Sequence, residues 1–399
     1  MYRSLVLVSA LVVALSGATR PRYGGTLRVQ PGGAPPDLTN PASERDHELQ
    51  ACIAETLVRF GESGDIERML ATGWESDASG RTWRFTLRPG VRFHNGAALT
   101  PSIIASALMP HLPGAEITAT SDSIRIHLQQ PDPMLVRSLA DVPIVAESTV
   151  GTGPFRLDGQ KLVAFEQHWA GRPFLDAVEL STTQPDVWEV SPGIPRRGVP
   201  EKLQISSSQP LELIAIENTG EAAMSAAISL AIDRAPMAAV LTQRRGEATA
   251  GLLPQFLTGY AFTFDLTRDI ARSRQLLPNP PLLILSYDSR DPLARAVAER
   301  VAVNTRDAGI NIQPKPDTNS TLRVKRIRLQ PDAITSLEAL GAIDVTKNPQ
   351  TWYSAERALL DSGKIIPLMH VPVMWGAASY VRMPPTTRRC PFDSVWLAK

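Results

Sequence analysis

The fold is decided by the stretch Gly73-Trp74-Glu75-Ser76-Asp77-Ala78-Ser79-Gly80-Arg81-Thr82-Trp83-Arg84-Phe85-Thr86-Leu87-Arg88-Pro89-Gly90-Val91-Arg92-Phe93-His94-Asn95-Gly96. Within it Trp83, Phe85 and Leu87 alternate with polar residues, which is the period-2 pattern of a half-buried strand. Turn-forming residues at 77–80 precede this strand, and Pro89-Gly90 follows it. The stretch therefore predicts a strand, a turn and a second strand, which together form a β-hairpin on a sheet.

The amino-acid sequence of this hairpin closely resembles the signature of the family 5 extracellular solute-binding proteins, the dipeptide, oligopeptide and nickel receptors of ABC importers. Chains of that family typically read WE-x-S-x-D-G-x-T-W-x-F-x-L-R-x-G-V-x-F-H-D-G-x-P-L-T at this place. Here Asn95 replaces the usual aspartate and Ala98 the usual proline. Other segments resemble the family as well, namely residues 24–29, 55–58, 151–157, 168–178, 231–234 and 364–372.

Length and composition agree with a soluble receptor and exclude some other classes. The chain has 399 residues, of which 43% are apolar and 20% charged, so two or more domains with sizeable cores are expected. The net charge of +1 gives no reason to propose nucleic acid or an acidic membrane as a partner.

The N-terminal residues 1–18 have the form of a secretory signal. Arg3 is basic, Leu5 to Leu15 is almost wholly apolar, and Ser16-Gly17-Ala18 supplies small residues for cleavage after Ala18. The alternative is an uncleaved anchor, although the apolar stretch is shorter than the roughly 20 residues of a membrane span. Alanine stands where lipid-anchored family members carry a lipobox cysteine, so a free, exported, periplasmic protein is expected.

Cys52 and Cys390 are the two cysteines of the chain. In an exported protein they could form a disulfide if both ends of the chain share a lobe. The other interpretation is two separate buried thiols, and this is the one that we take as the expectation.

The resemblance implies an α/β fold of the type II periplasmic binding protein kind, with two lobes, a cleft and hinge, mixed sheets and a discontinuous first lobe. The implied division is a first lobe at 24–215 with an inserted subdomain at about 42–149, a second lobe at 216–365 and a return to the first lobe at 366–399. The best candidates for the crossings between lobes are 214–218 and 366–372.

Periodicity adds local predictions. Apolar residues at helical spacing predict one helix over residues 46–60. Near residue 280 a strand, a helix opened by Asp291-Pro292 and a second strand after Gly309 predict a βαβ unit, which implies parallel strands and a right-handed crossover.

The sequence carries no signature of catalysis. It lacks a G-x-S-x-G elbow and an H-E-x-x-H helix, and its six histidines show no ligand spacing. The G-x-G at 151–153 is followed by proline and lacks the third glycine of a dinucleotide loop. We therefore expect a binding protein with no enzymatic activity, metal or cofactor.

Candidate ligand contacts follow from the resemblance and from residue type. The family commonly places ligand residues just after its opening turn, which here gives Arg45, Asp46 and His47. Large aromatic side chains line enclosed ligand pockets, and the candidates from the far side of the cleft are Phe256, Tyr260, Trp352, Tyr353 and Trp375. Each of these residues could instead serve core or surface packing, since large apolar side chains are usually inside.

Residues 314–350 are the least family-like part of the chain. Related receptors usually carry a W-x-A-D-Y-P-D-P segment there, whose acidic residue binds the ammonium group of a peptide, and that segment is absent. The expected function is an extracytoplasmic receptor that captures a peptide or similar small solute by hinge closure, acts as a monomer and delivers the solute to an ABC permease. The alternative is a sensor or chaperone-like accessory that kept the scaffold; a hydrolase is least favoured.

Overall fold

The computed structural model describes residues 20–31, 38, 41, 44–61, 64–147, 149–180, 185–189, 203–260, 264–343, 345, 348–383 and 390–398, so the predicted signal peptide lies outside the described residues. The described strands are β1 (Thr26–Gln30), β2 (Val58–Phe60), β3 (Ile66–Arg68), β4 (Ala71–Ser76), β5 (Thr82–Leu87), β6 (Glu116–Ala119), β7 (Ser123–His127), β8 (Phe155–Asp158), β9 (Lys161–Ala164), β10 (Ala177–Leu180), β11 (Val187–Glu189), β12 (Gln204–Ser207), β13 (Glu212–Asn218), β14 (Glu247–Ala248), β15 (Leu283–Tyr287), β16 (Ile312–Pro316), β17 (Leu322–Arg328), β18 (Ile365–Val371), β19 (Met374–Ala377), β20 (Val381–Arg382) and β21 (Trp396–Leu397). The described helices are α1 (Glu44–Gln50), α2 (Pro101–Leu108), α3 (Leu135–Ser138), α4 (Ala222–Ala231), α5 (Arg234–Leu241), α6 (Gln255–Thr258), α7 (Ile270–Leu276), α8 (Pro292–Arg306), α9 (Ala333–Ala339) and α10 (Pro349–Asp361).

A seven-stranded mixed sheet has the order β12-β19-β11-β1-β10-β9-β8. β1 runs parallel to both of its neighbours, β10 and β11. Leu27 and Val29 of β1 are fully buried, while Arg28 between them pairs with Asp186 at 2.8 Å. Below, the first lobe means the described residues of 20–207 and 374–398, and the second lobe means 212–371.

The predicted hairpin lies in a four-stranded antiparallel sheet of the first lobe, ordered β4-β5-β7-β6. Trp83, Phe85 and Leu87 are buried on one face, as their alternation predicts. The turn before them is held by Asp77, whose Oδ1 accepts hydrogen bonds from the backbone amides of Arg81 and Thr82. The hairpin prediction is therefore confirmed.

The second lobe is built on a six-stranded sheet, ordered β14-β18-β13-β17-β15-β16. The predicted βαβ unit is confirmed: β15 and β16 are parallel, and α8 connects them. Asp291 caps α8 by accepting hydrogen bonds from the amides of Leu293 and Ala294. Among the described helices none could cross a membrane by itself, and one pair, α4 with α5, bent by 70°, passes the same length and composition test jointly.

The single helix predicted over residues 46–60 is wrong beyond Gln50, where α1 ends. After Gln50 the backbone makes hydrogen bonds outside the helix. The carbonyl oxygens of Cys52 and Ile53 accept hydrogen bonds from the amides of Phe155 and Gly153. Residues 58–60 then form β2. Apolar spacing alone could not show that these carbonyl groups have partners about a hundred residues away.

The predicted crossing segments 214–218 and 366–372 lie within strands β13 and β18 of the second lobe, except for Pro372 at the end of the second segment. β13 (from Glu212) and β18 (to Val371) belong to the six-stranded sheet, whereas β12 and β19 belong to the seven-stranded one. The chain therefore crosses at residues 208–211 and 372–373, where the Ser208 amide bonds the Val373 carbonyl at 2.9 Å. The lobe boundaries at 215/216 and 365/366 stay a prediction. If each strand is assigned to the lobe of its sheet, the boundaries move by a few residues.

The expectation of two buried thiols is wrong, because Cys52 and Cys390 form a disulfide. Cys52 lies in the turn after α1, and Cys390 lies in the C-terminal segment that returns to the first lobe. Both sulfur atoms are enclosed in the core below the seven-stranded sheet. The spacing of 338 residues hid this pairing from sequence reasoning.

Candidate functional site

A cavity of about 220 Å³ lies between the two lobes. Among the described residues that line it, Arg328 comes from the second lobe and the others come from the first. The first-lobe lining is drawn from α1 and the turn after it, from β2 and β3, from residues 140–143, from the segment around Trp169 and from Cys390 and Asp393. We call this space the inter-lobe cavity.

Glu55 forms a fixed point in the wall of the inter-lobe cavity. Its side chain is buried, and its two carboxylate oxygens accept hydrogen bonds from the Thr152 hydroxyl at 2.8 Å, the Trp169 indole at 2.9 and 3.0 Å and the His168 ring at 3.1 Å. Hydrogen bonds to a charged group are about twice as strong as neutral ones. The carboxylate therefore fixes two aromatic side chains of the lining.

The G-T-G segment at 151–153 brings Thr152 to this carboxylate. A Cβ added to Gly151 would lie 2.1 Å from the Ile53 carbonyl oxygen, and one added to Gly153 would lie 2.6 Å from that of Cys52. The backbone at 151 and 153 can approach the opposing carbonyl groups so closely only because these two residues have no Cβ. The glycines thus serve backbone packing behind the cavity, which agrees with the rejection of a dinucleotide loop.

Trp169 is held on its other side by a cation. The guanidinium carbon of Arg88 lies 4.0 Å from the centroid of the indole ring, within the range of a cation–π interaction. The Arg88 Nε also donates a hydrogen bond to the Met69 carbonyl oxygen. The indole is fixed from two directions, so this wall exists before any ligand arrives.

Charged side chains bridge the lobes beside the cavity. Asp141 of the first lobe accepts hydrogen bonds from Arg328 and Gln330 of the second lobe. A second bridge joins Arg137 to Asp332 at 2.8 Å. The contact is close, since a Cβ on Gly64 would lie 2.1 Å from the Pro331 carbonyl oxygen. The structure thus has its lobes in contact through groups that water could solvate if the lobes parted.

Of the predicted contacts near the start of the chain, His47 lines the inter-lobe cavity. Arg45 and Asp46 are buried and bind each other at 2.6 Å, and neither belongs to that lining. Their role as ligand contacts stays a prediction.

The predicted aromatic contacts of the far side do not line the inter-lobe cavity. Tyr260 and Tyr353 meet edge to face at 5.9 Å, Trp352 packs against a small apolar cluster, and Phe256 is 50% exposed. The placement of Trp375 on the far side is wrong, because β19 is a strand of the first lobe. Its ring is fully buried against Phe392, and its indole donates a hydrogen bond to Glu48.

Several residues that build the cavity were missed by sequence reasoning, namely Glu55, Asp141, Trp169 and Arg328. Glu55 and Trp169 lie within segments that resemble the family, so this resemblance could have indicated them as candidate site residues. Arg328 stands in the stretch that departs most from the family, and nothing in the sequence pointed to it. Within the described part of the chain, no group of three or more His, Cys, Asp or Glu side chains could hold a metal ion.

Comparison with known proteins agrees with this geometry. A family model described as "Bacterial extracellular solute-binding proteins, family 5 Middle" matches residues 65–190. Among curated proteins, the HTH-type transcriptional regulator SgrR of Escherichia coli (strain K12) is 31% identical over 154 residues, or 32% of this chain and 28% of that protein. SgrR of Salmonella typhi is 31% identical over 163 residues, or 34% and 29%. The chain thus matches less than a third of the length of these relatives.

Solved structures share the fold over almost the whole chain. The oligopeptide-binding protein AppA of Bacillus subtilis, in complex with a nonapeptide, has a TM-score of 0.79 at 14% identity and covers 95% of this chain and 100% of its own. NikA of Staphylococcus aureus, in complex with Ni(L-His)2, has a TM-score of 0.75 at 15% identity, with 94% and 99% covered. The murein tripeptide binding protein MppA of Escherichia coli has a TM-score of 0.76 at 16% identity, with 94% and 98% covered.

These likenesses confirm the fold expected from the sequence, an α/β, type II periplasmic binding protein fold with mixed sheets. The match to the family 5 model is confined to residues 65–190, so this part of the chain resembles that family, and the solved structures show the fold of the chain.

Proposed function

We propose that this chain is the extracytoplasmic receptor of an ABC-type importer and captures a small solute by closure of its two lobes. The inter-lobe cavity is the observation that carries the proposal, because its lining comes from both lobes and charged groups bridge them at its side. Closure about a hinge is the usual way in which two-lobed receptors enclose a ligand. We expect binding without covalent chemistry.

The size and charge of the cavity favour a compact, zwitterionic solute. At about 220 Å³ it is smaller than the roughly 300–1,000 Å³ of pockets for drug-sized ligands. The described lining includes three arginines and four acidic residues, namely Arg59, Arg68, Arg328, Glu48, Glu55, Asp141 and Asp393. Among peptides and similar solutes, we therefore place an amino-acid-sized or dipeptide-sized molecule ahead of a long peptide.

We further propose that the protein is periplasmic, is exported by residues 1–18, functions as a monomer and delivers its solute to an ABC permease. The disulfide between Cys52 and Cys390 supports export, since disulfides persist in oxidising compartments.

The test combines thermal stability with solution scattering on the purified chain. A library of amino acids, short peptides, sugars and opines is screened for a rise in melting temperature, because a ligand that binds the native state must stabilise it. A ligand at about 100 times its Kd should add about 2.7 kcal/mol to the free energy of unfolding. Compaction with that ligand supports the proposal, whereas a library without any stabilising member counts against it.

The second candidate is a sensory module without a transport partner. The curated relatives named above are transcriptional regulators, which favours this alternative. The two functions differ in partner and not in ligand binding. Cross-linking of the ligand-loaded protein in its own membranes should capture an ABC permease if it is an importer receptor, and a membrane sensor if it is a sensory module.

A further inference from the structure

A second cavity, of about 100 Å³, lies wholly within the second lobe. It is lined by the loop that follows β14 and by Tyr260, Phe264, Glu356 and His370. None of its lining residues lines the inter-lobe cavity. We call it the second-lobe cavity, and the function proposed above makes no use of it.

Glu356, on α10, is the buried acidic residue of this cavity, with its side chain fully enclosed. Its Oε1 accepts hydrogen bonds from the amides of Leu252 at 2.6 Å and Leu253 at 3.0 Å, which fixes the orientation of the carboxylate. Its Oε2 makes no hydrogen bond of standard geometry in the described part of the chain, although the Tyr260 side chain is near enough to interact with the carboxylate. A buried carboxylate without a counter-charge is costly, so the site is one that a cation would stabilise.

His370, on β18, cannot supply that positive charge. Its Nε2 lies 3.0 Å from the Leu252 carbonyl oxygen, which can only accept, so Nε2 carries the proton of the ring. Burial lowers the pKa of this histidine to about 4, so the ring is neutral near pH 7. The cavity therefore holds a carboxylate and a neutral imidazole and, among its described lining residues, no cationic side chain.

Aromatic rings complete the wall. Tyr260 and Phe264 line the cavity, and Tyr353 braces both, edge to face with Tyr260 at 5.9 Å and stacked on Phe264 at 5.8 Å. The face of an aromatic ring attracts a cation within about 6 Å, most strongly where water is excluded. The exposed Glu247 also lines the cavity and adds a second negative charge.

We propose that the second-lobe cavity binds a small organic ammonium group, with Glu356 as its counter-ion and Tyr260 and Phe264 as ring walls. The space suits this occupant, since about 100 Å³ compares with roughly 30 Å³ for one water in the liquid. Mg²⁺ and Ca²⁺ fit poorly, because they need about six to eight oxygen ligands and the described lining offers two carboxylates, of which that of Glu247 is exposed.

The test titrates the full chain with methylammonium chloride at constant ionic strength and follows the methyl proton signal by NMR. Binding against Tyr260 and Phe264 should shift the methyl signal upfield in a saturable manner through the ring currents. Methanol, which has a methyl group of similar size but no charge, is titrated as the control. Saturation by methylammonium and not by methanol supports the proposal; no saturable shift, or an equal response to methanol, overturns it.

The variant Glu356→Gln keeps an oxygen to accept from Leu252 and Leu253 and removes the charge. We expect methylammonium affinity to fall at least tenfold, while circular dichroism shows an intact fold. Glu299→Gln, an exposed acid on α8, is the matched control and should leave the affinity unchanged. If Glu356→Gln does not fold, the ring-current shift of the wild type still decides the question. Unaltered binding by a folded Glu356→Gln variant would overturn the proposal but leave the receptor function untouched.

Discussion

Glu55 beside the inter-lobe cavity and Glu356 in the second-lobe cavity are both buried carboxylates, yet their surroundings differ. Both oxygens of Glu55 accept hydrogen bonds, from three different side chains. Glu356 uses one oxygen for two backbone amides, and its other oxygen makes no hydrogen bond of standard geometry with the described residues, although the Tyr260 side chain interacts with the carboxylate. A fully satisfied buried carboxylate gives rigidity, whereas a half-satisfied one has bonding capacity left for a ligand.

The largest expected effect on the free energy of unfolding is at Glu55, whose carboxylate has hydrogen bonds on both oxygens. Glu55→Ala removes the acceptor of Thr152, His168 and Trp169 and leaves buried donors without partners. We expect the free energy of unfolding to fall by about 3–5 kcal/mol, as for other broken buried networks. Urea denaturation measures it. Glu55→Gln retains one acceptor oxygen and should cost less, and Glu356→Gln should cost least of the three, because it removes a buried charge. A loss under about 1 kcal/mol for Glu55→Ala would contradict the comparison.

The second prediction concerns the disulfide between Cys52 and Cys390, which joins the turn after α1 to the C-terminal segment behind the inter-lobe cavity. Replacing Cys52 and Cys390 together by serine should lower the free energy of unfolding by about 2–5 kcal/mol, because the unfolded chain loses a constraint on a long loop. Thermal melting with and without a reducing agent measures the effect. The reductant should lower the melting temperature of the wild type and leave that of the double variant unchanged. A wild type insensitive to reductant under unfolding conditions would show that the bond does not form.

The next effect is a dependence of stability on pH that involves the second-lobe cavity. Burial lowers the pKa of His370 from its ordinary value to about 4, so the folded chain binds fewer protons than the unfolded chain between about pH 4 and 6.5. Stability due to this residue is therefore lost as the pH falls through that window, by about 2 kcal/mol between pH 7 and pH 5. Burial raises the pKa of Glu356, which acts in the opposite direction.

Urea denaturation at a series of pH values checks this. The variant His370→Gln, whose amide can still donate to Leu252, should show a flatter profile between pH 7 and pH 5. Glu356→Gln should show a steeper one, because the opposing group is gone. The exposed His111 provides the control, since His111→Gln should leave the profile as it is. Equal profiles for His370→Gln and the wild type would disprove the assignment.

The smallest effect on stability is expected at the bridges between lobes. Asp141→Asn weakens the contacts to Arg328 and Gln330, and since these groups are partly exposed the loss should stay below about 1 kcal/mol. The radius of gyration of the unliganded protein in solution scattering should nevertheless increase. Glu299→Gln, which removes an exposed ion pair within α8, should change neither quantity. An unaltered radius for Asp141→Asn would mean that this bridge does not hold the lobes together.

The sequence was a good guide wherever short-range chemistry decides the structure. Alternation in Trp83, Phe85 and Leu87 predicted the hairpin, and the proline and glycine positions around α8 predicted the βαβ unit. The resemblance of the hairpin sequence to the family signature predicted the overall fold. In these cases a local pattern of apolar and turn-forming residues is sufficient to fix the element.

It failed where a distant partner decides the structure. The helix after Gln50 gives way to backbone bonds with Gly153 and Phe155, and the disulfide joins residues from opposite ends of the chain. The bridge between Asp141 and Arg328 arises only when the two lobes meet. The candidate site was thus predicted in part, through His47, while most of its charged lining depends on contacts that have no local signal.

One consequence follows from the pairing of β12 with β19. These strands are antiparallel neighbours, with Ser207 opposite Met374, so the entire second lobe occupies the position of a hairpin turn between them. Replacing it by a two-residue Asn-Gly turn would join Ser207 to Met374 and keep all seven strands of the sheet, since all of them come from outside the excised segment. The half-receptor obtained in this way would be a direct means of asking what one lobe can recognise without the other.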